Sequence, residues 1–151
     1  MSDLVPLSPD EEVLWRAMTR VMVALPRALD HDLLHSAGLA LHEYVVLVNL
    51  SEAENREMRM TELADAVALS PSRITRLVDD LKARGLVTKC RSATDGRGNV
   101  AQLTDKGLSR LEAAYPDHLA SVRNRVLDHL TPALIKRLGP ELARVAENLD
   151  D

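Results

Sequence analysis

The fold is decided by residues 70–103, which read SPSRITRLVDDLKARGLVTKCRSATDGRGNVAQL. Ser70 caps a predicted helix, Pro71 suits its first turn, and Gly85 is typical of the position just past a helix end. Apolar residues between them recur at helical spacing: Ile74, Leu77, Val78 and Leu81. The pattern then changes to two short β-prone runs, 86–91 and 99–103, around a tip that contains glycine. This stretch therefore predicts a helix followed by a two-stranded hairpin.

A shorter helix is predicted immediately before this stretch. Thr61 caps a helix over residues 62–68, and a tight turn at residues 69–70 leads into the next helix. The charged run at residues 52–59 predicts a solvated loop, and Thr104 starts a final helical region after the hairpin. Two short helices joined by a tight turn and followed by a hairpin have the element order of a winged helix-turn-helix.

The remainder of the chain is predicted to be helical. Ser8 and Glu11 have the spacing of a capping box that opens a helix running to about residue 34, and a second helix covers about residues 41–53. The apolar stripes of the terminal regions, over residues 13–25 and 119–149, exceed what one small winged-helix core needs. A second copy of the chain is the economical partner for burying them.

Composition excludes several classes of protein. The chain has 151 residues, 46% hydrophobic and 28% charged, which excludes disorder as its overall state. Aromatic residues make up only 2%, which favours packed helices over a β-sandwich, and the single cysteine excludes an internal disulfide. The chain shows neither a signal-peptide pattern nor an apolar window approaching about 18 residues, so we expect a cytoplasmic protein without a membrane partner. It also has no nucleophile and base motif and no cofactor loop, so we expect neither an enzyme nor a cofactor.

The net charge of −4 is unevenly distributed along the chain. Residues 70–98 contain seven basic and three acidic residues, a net charge of +4. The other residues contain 12 basic and 20 acidic ones, a net charge of −8. Neutralisation of phosphates supplies most of the sequence-independent affinity for DNA, so residues 70–98 are the predicted DNA-binding segment.

One face of the predicted helix after Ser70 carries the residue types that read DNA. Short hydroxyls reach phosphates or base edges, and arginines grip guanine in the major groove. The predicted DNA contacts are Ser70, Ser72, Arg73, Thr75 and Arg76 on the helix and Lys89 and Arg91 on the hairpin. The alternative is that Arg73 and Arg76 are solvated residues paired with Asp79 and Asp80 at helical spacing. The separate basic cluster of the hairpin favours DNA binding.

Residues 60–107 resemble the MarR family of bacterial transcription regulators. The resemblance is carried, in this order, by residues 61–64 (TELA), 70–81 (SPSRITRLVDDL), 84–87 (RGLV) and 95–97 (DGR). It implies a single domain, residues 1–151, that is mainly α with a small β-hairpin wing. In that domain a winged helix-turn-helix lobe at about 41–107 lies between dimerisation helices at about 1–36 and 108–151.

The resemblance also implies how such a protein acts. It implies a homodimer that binds a palindromic operator in double-stranded DNA and acts as a repressor. Arg97 at the wing tip enters the minor groove and Asp95 braces it by an ion pair, which suits the negative potential of a narrow minor groove.

A pocket for a small aromatic or lipophilic inducer is a further implication of the resemblance. It is expected between the dimerisation helices and the DNA-binding lobe. Its candidate lining residues are Trp15, Met18, Met22, Tyr44, Leu47 and Val48. The alternative is that these side chains are simply core, because apolar stripes mostly pack.

Two further features leave other functions open. His31 and His35 have a spacing that can hold a metal, and His42 is close in sequence, but histidines at a polar helix end are a commoner arrangement, so no metal is expected. Cys90 lies between Lys89 and Arg91, whose charges favour a reactive thiolate, but we predict an ordinary half-buried strand residue. The alternatives to a ligand-released repressor are a metal- or redox-sensing regulator and a winged-helix module that binds a protein.

Overall fold

The computed structural model describes residues 5–91 and 98–149 and is mainly helical, as predicted. In chain order the elements of this part are α1 (Pro9–Ala37), α2 (Leu41–Glu52), β1 (Glu57–Arg59), α3 (Met60–Ala66), α4 (Pro71–Ala83), β2 (Val87–Arg91), β3 (Asn99–Leu103), α5 (Asp105–Arg125) and α6 (Pro132–Glu147). Short 3-10 turns at Glu54–Arg56 and Leu127–His129 precede β1 and α6. The predicted winged helix-turn-helix order is present as α3, α4, β2 and β3.

Capping chemistry sets several helix ends as predicted. Ser8 Oγ accepts from Glu11 N at 3.3 Å and Glu11 Oε2 accepts from Ser8 N at 2.7 Å, so the capping box opens α1. Gly38 adopts a left-handed φ of 61° and ends α1, which runs to Ala37 rather than to about residue 34. Thr104 Oγ1 accepts from Gly107 N at 2.9 Å and caps α5.

One predicted cap is wrong, and another is confirmed in position but not in its hydrogen bond. Helix α3 begins at Met60, with Arg59 as its N-cap, because the chain leaves the extended β1 at that residue; Thr61 therefore lies inside the helix. Ser70 occupies the N-cap position of α4, but its hydroxyl makes no capping bond and lies 3.3 Å from Ser72 Oγ.

The predicted loop at residues 52–59 is also wrong. Residues 57–59 form β1, which joins the hairpin in a three-stranded antiparallel sheet of order β1-β3-β2. Glu57 pairs with Gln102, and Arg59 pairs with Val100. The pairing depends on backbone groups about forty residues apart in sequence, which charge and periodicity do not reveal.

The core lies between α2, α3, α4 and the sheet. Its largest fully buried side chains are Leu33, Leu39, Leu47, Leu50, Leu63, Ile74, Leu81, Val46, Val78 and Val87. No charged or polar residue is buried in the described ranges, and Tyr44 is the aromatic residue of the core. Aliphatic packing of this kind suits the scarcity of aromatic residues in the sequence.

Helices α1 and α5 are joined by an ion pair outside this core. Asp32 accepts hydrogen bonds from Arg125 Nε at 2.5 Å and Nη2 at 2.7 Å, and also from the Ser121 hydroxyl. These bonds hold the pKa of Asp32 well below its usual range, with the Arg125 hydrogen bond contributing most. The bidentate geometry fixes how the two helices lie against each other.

The terminal helices expose large apolar surfaces. On α1 these residues are Val13, Leu14, Trp15, Val21, Met22 and Val23, and on α6 they are Leu134, Ile135, Leu142 and Val145. No residue of α6 is buried. In the described chain no individual helix is long and apolar enough to span a membrane; α1 and α2 meet that test only as a bent pair, at 80° to each other.

Candidate nucleic-acid interface

Helix α4 buries one face and exposes the other. Ile74, Val78 and Leu81 are at most 1% exposed and attach the helix to the core. Ser72, Arg73, Thr75 and Arg76 are all exposed, and we call these four residues the recognition face. The alternation follows from the helical repeat, because residues adjacent in sequence point in directions about 100° apart.

In the described part of the structure, no carboxylate pairs with either arginine of the recognition face. Within the described ranges neither Arg73 nor Arg76 makes an ion pair, and Asp79 instead accepts from Lys89. The alternative in which both arginines pair along the helix is therefore wrong. Two exposed guanidinium groups that make no ion pair within the described ranges are suited to contact phosphates and guanine.

Lys89 ties β2 to α4. Its Nζ lies 3.1 Å from Asp79 Oδ1, and its side chain is only 17% exposed. Lys89, a predicted DNA contact, thus directs its ammonium group at the Asp79 carboxylate of α4. Arg91, at the end of the same strand, is exposed.

Arg84 contributes charge to the basic segment but is a structural residue. Its Nη1 donates to Glu43 at 2.9 Å and its Nη2 donates to the Gly38 carbonyl at 3.2 Å. Lys106 Nζ donates to the Arg84 carbonyl at 2.8 Å, and Arg110 donates to the Ala37 carbonyl. These cations stabilise the carboxyl ends of α1 and α4, where the helix dipole is negative.

The hairpin tip lies outside the described residues. The predictions for Asp95 and Arg97 fall on this segment and stay predictions. The strands that lead to it, β2 and β3, pair in register from Val87 with Leu103 to Arg91 with Asn99.

His42, predicted only as a neighbour of His31 and His35, lies beside the arginines of the recognition face. It is exposed near the start of α2 and lines a groove of about 260 Å³ together with Glu43, Arg73, Arg76 and Asp80. No sequence signal distinguished this placement, because helical periodicity does not tell which two helices share a groove.

Comparison with known proteins agrees with this geometry. The profile of the MarR family matches residues 37–98. The HTH-type transcriptional regulator MhqR of Bacillus subtilis (strain 168) is 30% identical over 115 residues, which cover 76% of this chain and 77% of MhqR. The crystal structure of Sco3205, a MarR family transcriptional regulator from Streptomyces coelicolor, in complex with DNA, superposes with a TM-score of 0.91 at 35% identity, over 100% of this chain and 94% of Sco3205. The chain belongs to the MarR family of transcriptional regulators.

Another relative carries a repressor name. The transcriptional repressor MprA of Escherichia coli (strain K12) is 28% identical over 143 residues, which cover 86% of this chain and 80% of MprA.

The histidines of this MarR-family chain do not form a metal site in the described part of the structure. His31 and His35 stack with ring centroids 6.4 Å apart, but no group of three or more potential ligands is close enough to hold an ion among residues 5–91 and 98–149. The nearby carboxylates are used elsewhere: Asp30 accepts from Leu41 N at 2.7 Å, and Asp32 accepts from Arg125.

Cys90 is exposed on β2, and its prediction as half-buried is wrong. Side chains of a strand alternate between two faces. Val87 points into the core, so Cys90 lies on the opposite face with the exposed Thr88.

The six predicted pocket residues are not brought together. Leu47 is fully buried in the core, whereas Trp15 and Met22 are more than half exposed on α1 and Met18 is half-buried there. Tyr44 and Val48 line a cleft of about 640 Å³ between α2 and α5, together with Ser51, Glu52, Leu108, Leu111, Glu112, Tyr115 and His118. Helical spacing identified apolar faces correctly but did not show that α5 covers this side of α2.

Proposed function

We propose that this regulator is a homodimeric repressor that binds an inverted-repeat operator in duplex DNA. The observation that carries the proposal is the recognition face of α4, with two exposed arginines that no described carboxylate neutralises. In this role the chain acts in the cytoplasm by binding rather than by catalysis. The names of relatives such as the repressor MprA favour repression.

Dimerisation is supported by the exposed apolar residues of α1 and α6. Trp15 is 56% exposed, Leu142 is 50% exposed, and both belong to extended apolar faces. A water-soluble chain rarely leaves such faces uncovered, and a second copy offers the same faces in return. A two-fold dimer would place its two α4 helices about 34 Å apart, one turn of DNA, on an inverted repeat.

The wing completes the proposed interface. Arg91 extends the basic surface along β2, and we propose that Arg97 enters the minor groove while Asp95 braces it. Ser70 and Ser72, whose hydroxyls lie together at the start of α4, would contact phosphate. Lys89 would act mainly by holding the hairpin against α4.

The cleft between α2 and α5 is the proposed site of a releasing effector. Helix α2 belongs to the same lobe as α4, whereas α5 continues toward the dimerisation region. A small molecule between them would change the position of the recognition face relative to the dimer axis.

Selection of binding sites from random duplex DNA tests the proposal. We expect the purified protein to recover an inverted repeat with half-sites about one helical turn apart. Arg73→Ala and Arg76→Ala should each weaken operator binding by about 1–3 kcal/mol, because each removes a charge-assisted contact. The matched control is Lys136→Ala on α6, which removes the same charge far from α4 and should change binding by less than about 0.5 kcal/mol.

Two outcomes would overturn the proposal. Weak binding with no selected sequence would favour a winged-helix module that binds a protein instead. Unchanged operator affinity in both arginine variants, measured at fixed salt, would remove the recognition face from the DNA contact.

A further inference from the structure

The start of α2 and helix α4 enclose a small groove beside the recognition face. Its lining residues are Ala40, His42, Glu43, Leu69, Arg73, Arg76, Leu77 and Asp80. His42, Arg73 and Arg76 are all exposed. The volume of about 260 Å³ is below the range of roughly 300–1,000 Å³ that is typical of pockets enclosing a small molecule. The groove therefore suits a single group of a larger ligand.

The two carboxylates of this groove have different partners. Glu43 is engaged on both oxygens, because its Oε1 accepts from Arg84 Nη1 and its Oε2 accepts from Ala40 N, each at 2.9 Å. Asp80 is exposed and forms no ion pair with the residues that the structure describes. The two arginines of the groove thus face one carboxylate that is not already balanced. The groove is net positive even with an uncharged histidine, and it suits an anion.

His42 makes the charge of this groove depend on pH. A histidine side chain ordinarily gains or loses its proton between about pH 5 and 8. The charged groups that line the groove with His42 are Arg73, Arg76 and Asp80 of α4 and Glu43 of α2. On the side of α1, Asp30 is held by the bond that it accepts from Leu41 N at 2.7 Å. Protonation gives the imidazole two N–H donors and a positive charge, and charge-assisted hydrogen bonds to phosphate are roughly twice as strong as neutral ones.

We propose that His42 contacts a phosphate of the DNA backbone and binds it more tightly when the imidazole is protonated. A helix in the major groove, which is about 12 Å wide, is flanked by a phosphate backbone on each side. The backbone on the α2 side of α4 passes over the groove that His42 shares with Arg73 and Arg76. The inference rests on the proposed function, because it takes α4 as the helix that enters DNA. It extends the interface to α2, and DNA affinity falls as pH rises and the proton is lost.

Operator binding at pH 6, 7 and 8 and constant ionic strength tests the contact. The wild-type protein should bind its selected operator at least about five-fold more tightly at pH 6 than at pH 8, and His42→Gln should reduce this difference to less than about two-fold. His35→Gln is the matched control and should keep the wild-type difference, because His35 is exposed on α1 and is not among the lining residues of the groove. A wild-type protein without pH dependence, or a dependence that His42→Gln leaves unchanged, would overturn the proposal.

Salt dependence separates a phosphate contact from a base contact. Removal of a phosphate contact lowers the slope of log affinity against log salt concentration by about 1 and weakens binding to all sequences alike. At pH 6, His42→Gln should show this change of slope and should weaken operator and random-sequence duplex by the same factor. At pH 8 it should change neither quantity. A loss confined to the operator would contradict the phosphate assignment.

Two further measurements apply if His42→Gln does not fold. Lysine stays charged through pH 8, so His42→Lys at pH 8 should bind the operator within about two-fold of the wild-type affinity at pH 6. In the wild-type protein at pH 7, DNA binding should take up a fraction of a proton, measured calorimetrically in buffers of different ionisation enthalpy. Binding without proton uptake would show that the contact does not depend on protonation.

Measurements on random-sequence duplex also separate this inference from the proposed function. An operator that is selected and bound equally well at pH 6 and pH 8 would make the His42 contact wrong and leave the proposed repressor intact. Binding without a preferred sequence that keeps the His42-dependent effect of pH would support the contact and overturn the proposed operator. No affinity for any duplex would overturn both.

Discussion

Gly107 shows how one residue joins the hairpin to α5. A Cβ at this position would lie 2.1 Å from the Leu86 carbonyl oxygen and 2.6 Å from Leu103 Cδ1. Both atoms belong to the base of the wing, where Thr104 N donates to Leu86 O at 3.1 Å. The first turn of α5 can approach the sheet this closely only because residue 107 has no side chain.

Substitution of two helical glycines tests whether the close packing of α5 on the sheet requires a glycine. Gly107→Ala should lower the free energy of unfolding by about 2–3 kcal/mol, because backbone and core atoms must move to admit a methyl group. Gly139→Ala is the matched control: nothing lies within 4 Å of its added Cβ, and its gain in helix propensity is opposed by Pro140, which disfavours helical backbone in a preceding residue with a Cβ, so stability should change by less than about 1 kcal/mol. Urea unfolding measures both changes, and equal losses would contradict the steric account.

Single residues also show what could be predicted from sequence. Thr104 was identified as a cap because its hydroxyl meets the backbone of its own helix, three residues away. Thr61 and Ser70 carry the same chemical signal, yet neither makes a capping bond to its helix in the structure. The capping residue is the one at which the chain leaves its preceding conformation and enters the helix. For α3 this residue is Arg59, because Arg59 still pairs with Val100 of the distant strand β3.

At the scale of elements, α1 is attached to α5 by the Asp32 and Arg125 pair. Asp32 has a folded-state pKa below its unfolded value, so its contribution to stability is present above about pH 4 and is lost as pH falls further. Arg125 stays charged throughout this range. The ion pair is therefore an acid-sensitive attachment between two helices.

Thermal unfolding at two pH values tests this attachment. Asp32→Asn should lower the melting temperature at pH 7, and the difference from the wild-type protein should shrink at pH 3, where the Asp32 carboxyl of the unfolded chain is protonated and folding has to remove that proton. Asp128→Asn is the control, since Asp128 lies 3.8 Å from Arg123 and both side chains are at least 60% exposed. The same difference at both pH values would exclude the proposed titration.

Helices and strands are predicted best where the spacing of apolar residues within the element itself shows which face is buried. The apolar stripe of α4 identified its buried face, because burial against the core repeats with the helical period. Strand β1 and the cleft at His118 were missed for one reason: each is formed by segments far apart in sequence. The pairing of Glu57 with Gln102 and the packing of α5 beside α2 are tertiary contacts, which no local sequence pattern predicts.

At the scale of the whole molecule, the structure divides the cations of residues 70–98 into two groups. Residues 70–98 contain Arg84 and Lys89, which are engaged in ion pairs, as well as Arg73 and Arg76, which form none with the residues that the structure describes. The count of charges did not distinguish cations that hold the lobe together from cations that make no ion pair in the described ranges.

Disruption of the exposed apolar face of α6 tests the proposed dimer. Leu142→Glu places a carboxylate in that face and should convert the protein to a monomer in sedimentation equilibrium, with operator affinity reduced at least ten-fold. Ala143→Glu adds the same charge about 100° further around the helix and should leave the protein dimeric. A Leu142→Glu protein that sediments as the wild type does would show that this face is not the interface.

The pair between Lys89 and Asp79 has a consequence for which operators this protein tolerates. By joining the first wing strand to α4, it holds the two elements that we propose to read DNA at one distance from each other. Insertions within a half-site would therefore be rejected, because neither element can move to follow them. Insertions between half-sites instead change the distance between the two lobes of the dimer, which depends on how each lobe joins the terminal helices. A variant that accepts longer spacing between half-sites should therefore still reject insertions within a half-site.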